Sequence, residues 1–455
     1  MSDALPSGRP VPGPAARPPR EAREAGDAAA AGAPEVFTPQ ERARGRALAR
    51  AQWIPVLAAR AVSTALLAVL GLTPAGARIV DAASAPFGDA RPVRVLCGGL
   101  ALLLLLDLAR LPFAARLHVV RRDAGLDTRG WGGWSADLLR GLALSLPLAL
   151  GALLGLHALL AAAPDTWWAW AAAAAALGVT AVSWLAPLLL EPVFNRFTPM
   201  EPGPLRDALL GLAAADGVRV REVLVADASR RTTALNAYVS GFGATRRIVV
   251  YDTLLATAPP GEVGLVVAHE LGHVRHRDVA RGTALAALGA AAGVCALAAA
   301  LRPGPLLSAA GADGLADSRS TALLLLAVAA GGALAGPFGR AAGRRAEARA
   351  DRHALGLTGD AAGFVAMQRR LSVANVSDVD PPRLLHLLFG THPSAVRRIA
   401  AAMRGDGRPC CPPARARGGG APAAGTSGAG TSGAGTSSGG TSGAGTSGAG
   451  AGDGR

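Results

Sequence analysis

The chain has 455 residues, a formal net charge of +14, and 51% apolar but only 4% aromatic residues. Its basic residues are all arginine and lie between apolar runs without interleaved aromatics, which argues against nucleic acid as a partner and favours a lipid bilayer. The four cysteines, Cys97, Cys295, Cys410 and Cys411, lack metal-ligand spacing and imply no disulfide framework.

The N-terminal segment, residues 1–36, is rich in Pro, Ala, Gly and Arg and has no apolar periodicity, which predicts a disordered tail. It lacks the apolar run and cleavage site of a secretory signal. The residues Thr38-Pro39-Gln40-Glu41 are typical of a helix start, so a basic helix leading to the membrane is expected from about residue 38.

Six apolar stretches follow, each long enough or nearly long enough to span a bilayer. Arg60 interrupts the first, but an arginine near a helix end can extend its charged group to the interface. Four spans would form an N-terminal membrane domain over residues 37–190, and two more would follow it. The stretches are 53–72, 93–111, 138–163, 166–190, 279–301 and 320–338.

The arginines predict the orientation. The tail before the first span, the loop at 112–137, the segment 191–278 and everything after Arg340 are basic, whereas the loop between the third and fourth spans holds no arginine. With the N-terminus inside, every basic segment falls on the cytoplasmic side of the cell membrane. From residue 405 to 455 the chain is a low-complexity tail of Gly, Ser, Thr and Ala, which cannot form a core.

The segment Val266-Val267-Ala268-His269-Glu270-Leu271-Gly272-His273-Val274 carries the strongest chemical signal. On a helix, His269 and His273 lie one turn apart on one face and can share a zinc ion. Glu270 lies where it can accept a proton from an attacking water molecule. The alternative is a helix whose two histidines only form surface hydrogen bonds, but the uncharged flanks favour a buried active-site helix.

A catalytic zinc site keeps three protein ligands and an open position. Glu347 is the best third candidate, because it follows the last span and so shares a face of the membrane with the two histidines. Asp351, one turn later, could orient a ligand histidine through its other ring nitrogen. The spacing alone leaves a solvated charged helix equally open, and His276 and His353 are rival ligands.

These motifs together resemble the M48 family of membrane zinc metallopeptidases, and in particular its Ste24-type, CAAX prenyl protease 1-like branch, with the HtpX-type proteases as more distant relatives. The resemblance covers residues 45–402. Beyond the histidine motif and Glu347-x-x-x-Asp351, it rests on three segments: 191–200, 236–255 and Thr391-His392-Pro393-Ser394 with Arg398-Ile399.

The resemblance implies that His269, His273 and Glu347 bind one zinc ion per subunit, with Glu270 as general base. It also implies that His392 and Arg398 lie near the scissile carbonyl. Without the family, His392 would be read as an ordinary loop histidine.

The same resemblance makes Asn236, Ala237 and Tyr238 an edge strand that pairs with an extended peptide. From the residues alone, the segment 234–255 predicts only a β-hairpin, with Gly241 and Gly243 near its turn.

The expected fold is therefore mainly α, a multi-pass transmembrane helical protein with an integrated zincin-like peptidase domain over residues 191–404 that carries a small β-hairpin or sheet. The expected function is zinc-dependent cleavage of membrane-associated or C-terminal peptide substrates. Two alternatives remain: an HtpX-like quality-control protease, and an inert membrane scaffold that keeps its metal site. Ste24 relatives are seven-span barrels around a chamber, whereas this chain shows six spans.

Overall fold

The computed structural model describes residues 36–187, 191–301 and 304–405. The predicted N-terminal and C-terminal tails, apart from residues 36 and 405, lie outside the described residues, as do Cys410 and Cys411. Within the described part, six helices are long and apolar enough to cross a membrane, which agrees with the six predicted spans. The predicted fold class, a mainly α multi-pass membrane protein with a small sheet, is confirmed.

The N-terminal half is helical. The first helix begins where Thr38 caps the backbone N–H of Glu41 and the Glu41 carboxylate accepts from the N–H of Thr38. It then runs without a break into the first span. The helices are α1 (Pro39–Leu72), the short α2 (Ala75–Ser84), α3 (Arg91–Asp123), α4 (Trp131–Ala162) and α5 (Trp167–Leu185).

The second half combines a small sheet with helices. Its elements are α6 (Glu191–Phe194), β1 (Phe197–Pro199), α7 (Pro204–Ala215), β2 (Glu222–Ala226), β3 (Ala237–Ser240), β4 (Arg247–Tyr251), α8 (Asp252–Thr257), α9 (Pro260–Arg275), α10 (Asp278–Ala300), α11 (Pro305–Ala309), α12 (Thr321–Thr358), α13 (Ala361–Ala374), α14 (Arg383–Phe389) and α15 (Ala395–Met403). Helix α12 continues well past its apolar part, so Glu347 lies on the same helix as the last span.

The six long helices pack as neighbours in the order α1, α3, α4, α5, α10 and α12, and α12 packs back onto α1. They therefore form a closed ring, in which α3 also contacts α12. At the end distant from the sheet, the apolar side chains of Leu70, Val80, Leu102 and Ala322 form one buried cluster that ties α2 to three of the long helices.

The sheet has four strands in the order β1-β2-β4-β3. The predicted hairpin is present as β3 and β4, which pair antiparallel with Ala237 opposite Val250. Its turn places Gly241 and Gly243 at φ +86° and +57°, where glycine has no steric penalty. The other two strands were not predicted; β2 runs parallel to β4 and β1 antiparallel to β2.

One face of this sheet packs on α9. Ile248 and Val250 of β4 are fully buried in the same cluster as Val263 and Val267 of α9, and Phe364 of α13 joins that cluster. Helix α9 is therefore held by apolar contacts on both sides, which leaves the polar face that bears the two histidines toward α12.

Candidate active site

Helix α9 carries the histidine motif and has well-defined ends. Pro260 occupies its first turn, where the missing N–H costs no hydrogen bond. After Arg275 the chain reverses through Arg277, which adopts a left-handed backbone with φ +55°. That reversal returns the next residue, Asp278, to the side chain of His273.

Three potential metal ligands converge between α9 and α12. The His269 Nε2 atom lies 3.3 Å from one oxygen of the Glu347 carboxylate, and the His273 Nε2 atom lies 3.5 Å from the other. One ligand atom from each of these three residues lies within 4.8 Å of the other two. The side chain of Glu347 is only 13% exposed, so the three groups meet in a largely buried position.

The other ring nitrogen of each histidine is held by a carboxylate. Asp351 Oδ1 lies 2.9 Å from His269 Nδ1, and Asp278 Oδ2 lies 3.0 Å from His273 Nδ1. A carboxylate at Nδ1 fixes the ring orientation and leaves the lone pair of Nε2 free to coordinate a metal. Both carboxylates are themselves neutralised, Asp351 by Arg398 and Asp278 by Arg349.

This arrangement fits a metal ion. Two imidazole nitrogens and one carboxylate oxygen are a donor set that zinc uses in catalytic sites. Among the described residues, the buried Oε2 atom of Glu347 has no hydrogen-bond partner, which is costly unless another group satisfies it. Burial lowers the pKa of His269, but hydrogen bonds to Asp351 and Glu347 outweigh that effect and raise it to about 9.

Glu270 lies beside the three ligands and lines the same cavity. Burial raises the pKa of its carboxyl group above the ordinary value for glutamate. A carboxylate with a raised pKa is a stronger base, and it is therefore better able to accept a proton from water near neutral pH.

The two residues expected near the scissile carbonyl have different surroundings. The side chain of His392 is 60% exposed, and its Nε2 atom lies 3.4 Å from Glu347 Oε1. The Arg398 guanidinium is 13% exposed, donates from Nε to Asp351 Oδ2 at 2.8 Å, and lies 3.4 Å from His269 Nδ1. Both line the cavity, but Arg398 is engaged with the carboxylate that holds His269.

The expected substrate strand lies at one edge of the sheet, since β3 pairs only with β4 among the described strands. Asn236 is exposed and lines the cavity, whereas Ala237 is 1% exposed. Tyr238 packs its ring against Tyr251. The amide of Asn375 holds this segment in place, because it accepts from the N–H of Leu235 at 2.8 Å and donates to its carbonyl at 3.3 Å.

The cavity that contains the site has a volume of about 830 Å³. Its wall is shared between the two halves of the chain. Arg121 lies in the last turn of the membrane helix α3 and Arg129 follows that helix, whereas Arg231 lies in the loop between β2 and β3. Asp137 of α4 accepts hydrogen bonds from both Arg129 and Arg231, which joins these two walls.

The rival ligands lie elsewhere. His353 Nε2 is 3.1 Å from Asp216, and the rings of His276 and His353 pack edge to face. Within the described residues, only His269, His273 and Glu347 bring three His, Cys, Asp or Glu ligand atoms close enough together to hold a metal ion. Sequence reasoning missed Asp278 and Asn375. The one signal for Asp278 is its position five residues after His273, and nothing in the local sequence marks Asn375.

Comparison with known proteins gives two family matches. Residues 199–405 match the model for peptidase family M48, and residues 33–196 match the model described as the CAAX prenyl protease N-terminal region with five membrane helices. In that region the described part of the structure has four long helices and the short helices α2 and α6.

Individual relatives agree. The chain is 28% identical to an uncharacterized metalloprotease, YhfN, of Bacillus subtilis over 67% of this chain and 72% of that protein. It is 39% identical to the CAAX prenyl protease 1 of Saccharomyces cerevisiae, but the match covers only 20% of either chain. The crystal structure of S. mikatae Ste24p has the same fold, with a TM-score of 0.72, 20% identity, and coverage of 81% of this chain and 90% of that one.

Proposed function

Because the chain belongs to peptidase family M48 and is a multi-pass membrane metallopeptidase, we propose that it is a zinc-dependent endopeptidase. Its substrates would be membrane-associated proteins or peptides cleaved near their C-termini. The observation that carries this proposal is the convergence of His269, His273 and Glu347 beside the buried carboxyl group of Glu270.

The mechanism follows from the residues around that point. A zinc ion held by His269, His273 and Glu347 would polarise the scissile carbonyl and lower the pKa of a water molecule. Glu270 can accept the proton of the water molecule that attacks the carbonyl carbon and can then donate it to the leaving amine. The imidazole of His392 lines the cavity 3.4 Å from Glu347 and can donate to the carbonyl oxygen as negative charge develops there.

We assign Arg398 a positioning role in addition to any contact with substrate. Its guanidinium holds Asp351, and Asp351 holds His269, so the three groups form one hydrogen-bonded chain. Asn236, directly before β3, supplies the polar wall against which an extended peptide would lie. Substrate preference therefore depends on the shape of the cavity between this strand and α13.

We further propose that the protein resides in the cell membrane with this site on the cytoplasmic side. The arginines support that orientation, since the segments 112–137 and 191–278 and the part after Arg340 are all basic and flank the same ends of the spans. The matches to the CAAX prenyl proteases span only about a fifth of this chain, which is too short to define the substrate. A quality-control role on damaged membrane proteins fits the same geometry.

The first experiment is to purify the full chain in detergent and measure bound zinc and casein cleavage for the native protein and Glu270→Gln. One zinc in both, with cleavage lost only in the variant, would support the proposal. Glu201→Gln serves as a matched control, because Glu201 is exposed and lies outside the cavity. Full activity in Glu270→Gln would contradict the assigned base, and zinc without cleavage in either protein would favour an inert scaffold.

A further inference from the structure

The short helix α14, in the peptidase half, has no buried residue. Its sequence is Arg-Leu-Leu-His-Leu-Leu-Phe, and the side chains of Leu384 and Leu387 are 67% and 56% exposed. These two leucines are three residues apart and therefore lie on one face of the helix. Exposure of such an apolar face to water is unfavourable, so the face indicates a contact with an apolar partner.

The other side of α14 forms part of the catalytic cavity. His386 and the residues that follow the helix, Gly390 and His392, line that cavity. The C-terminal end of the helix is fixed to α12, since the Arg344 guanidinium donates to the carbonyl oxygen of Gly390 at 2.6 Å and to that of Leu387 at 3.3 Å. A cation at the carboxyl end of a helix is stabilising. Helix α14 is therefore a wall of the cavity with an apolar outer surface.

The contacts of Phe389 show where this wall lies relative to the bilayer. Its ring centroid is 5.1 Å from the ring of Trp53 and 5.0 Å from the guanidinium carbon of Arg60, both on α1. Trp53 is the first residue of the first predicted span, and Arg60 lies about 10 Å further along the helix axis. On the other side, the guanidinium carbon of Arg340, just after the last predicted span, is 5.8 Å from the same ring.

Neither arginine has an acidic partner within ion-pair distance among the described residues. In the same part of the chain, the buried Nε atom of Arg340 has no hydrogen-bond partner. Two guanidinium groups that flank one phenyl ring without a counter-charge are expected to have anionic groups nearby. At the boundary of the hydrocarbon, lipid phosphates are in that position.

We propose that α14 lies in the membrane interface, with Leu384 and Leu387 among the lipid acyl chains and with the guanidinium groups of Arg60 and Arg340 extended toward the lipid phosphates. The partner of this face is the bilayer itself. The catalytic cavity is then separated from the lipid by one helix, a thickness of about 10 Å. A segment of substrate that leaves the bilayer beside α1 and α12 would meet this helix before it reached the site.

The test measures lipid contact directly and does not depend on peptidase activity. The four cysteines are replaced by serine, one new cysteine is placed by Leu387→Cys, and a nitroxide label is attached to it. The protein is reconstituted in vesicles of phosphatidylcholine and phosphatidylglycerol. Accessibility to oxygen, which concentrates in lipid, is then compared with accessibility to a water-soluble nickel complex.

Two labelled positions provide the scale. Leu334→Cys lies within the last predicted span and is 74% exposed, so it reports a lipid-facing position. Arg397→Cys lies on the exposed face of α15 and reports water. We expect the oxygen-to-nickel ratio at Leu387 to be close to that at Leu334. A ratio close to that at Arg397, or poor access of both reagents, would overturn the proposal.

If the cysteine-free protein does not fold, the native chain can carry p-benzoylphenylalanine in place of Leu387. Irradiation in the same vesicles should then produce a protein adduct with the mass of a phospholipid. A crosslink within the protein, or none above that at Arg397, would contradict a lipid-facing α14.

Discussion

Gly272 and Ala350 mark a close approach of α9 to α12, because a Cβ atom on Gly272 would lie 3.0 Å from the Cα atom of Ala350. One turn before Ala350 lies Glu347, and Gly272 directly precedes His273. The absence of a side chain at Gly272 therefore allows the third ligand to reach the two histidines.

Gly272→Ala should accordingly move the two helices apart by a few tenths of an ångström and weaken metal binding. We expect a destabilisation of about 1–3 kcal/mol from overpacking and a fall in zinc affinity of about 10-fold. Gly264→Ala on the same helix is the matched control, since no atom of the described residues lies within 4 Å of the position that its new methyl group would take. Zinc titration against a chromophoric chelator would measure the zinc affinity of both variants. Equal affinities for Gly272→Ala and Gly264→Ala would contradict this prediction.

Asp278→Asn should reduce metal affinity although Asp278 is not a ligand. Its carboxylate holds His273 Nδ1 and receives Arg349, so the amide would lose the charge that both groups require. Partners of this kind contribute about 10–100-fold to metal affinity. Asp313→Asn, a change at a side chain that is 94% exposed, should leave the dissociation constant unaltered. Isothermal titration of the metal-free protein with zinc would distinguish them.

Removal of the metal should lower thermal stability, because an ion that binds only the folded state stabilises it. At a zinc concentration 100 times the dissociation constant, the gain is about 2.7 kcal/mol. We expect 1,10-phenanthroline to lower the Tm of the native protein in detergent and to have little effect on Glu347→Gln. An equal shift in both proteins would mean that the chelator acts at some place other than this site.

Asp137→Asn should lower activity without loss of metal. Asp137 is 10% exposed and accepts from Arg129, Arg140 and Arg231, so its neutralisation would leave three arginines without their shared counter-charge. The loop that bears Arg231 would then lose its link to α4 and the cavity wall would loosen. We expect a larger rise in KM than fall in kcat. Arg140→Gln, which removes only the most exposed of the three, should have a much smaller effect.

Asn375→Leu should disturb the strand beside the site. The amide of Asn375 makes two hydrogen bonds to the backbone of Leu235. Val376, which follows Asn375 in the chain, adopts φ +48°, a strained backbone for a β-branched side chain. Loss of these hydrogen bonds leaves the buried N–H and carbonyl groups of Leu235 without partners, which should lower the free energy of unfolding by about 1–3 kcal/mol. Peptidase activity of Asn375→Leu should fall while its zinc content stays at one ion per chain. The activity of Asn375→Asp, which keeps the acceptor for the Leu235 N–H, should fall less.

The sequence by itself determined the features that depend on short-range spacing. The i, i+4 spacing of His269 and His273 fixes both rings on one face of any helix, and apolar stretches of sufficient length predict membrane spans whatever surrounds them. For the same reason, the hairpin of β3 and β4 could be predicted from local alternation and its glycines. By contrast, β1 has only three residues, and β2 pairs with β1 and β4, neither of which is joined to it by a short turn.

Only the tertiary structure decided which distant groups meet. Glu347 and a solvated charged helix were equally compatible with the spacing, and the packing of Gly272 on Ala350 is what brings that carboxylate within 3.3 Å of His269. Asp278 reaches His273 through the left-handed turn at Arg277, and Asn375 reaches Leu235 across 140 residues of chain. Such contacts depend on how helices and loops pack, and no local pattern encodes that packing.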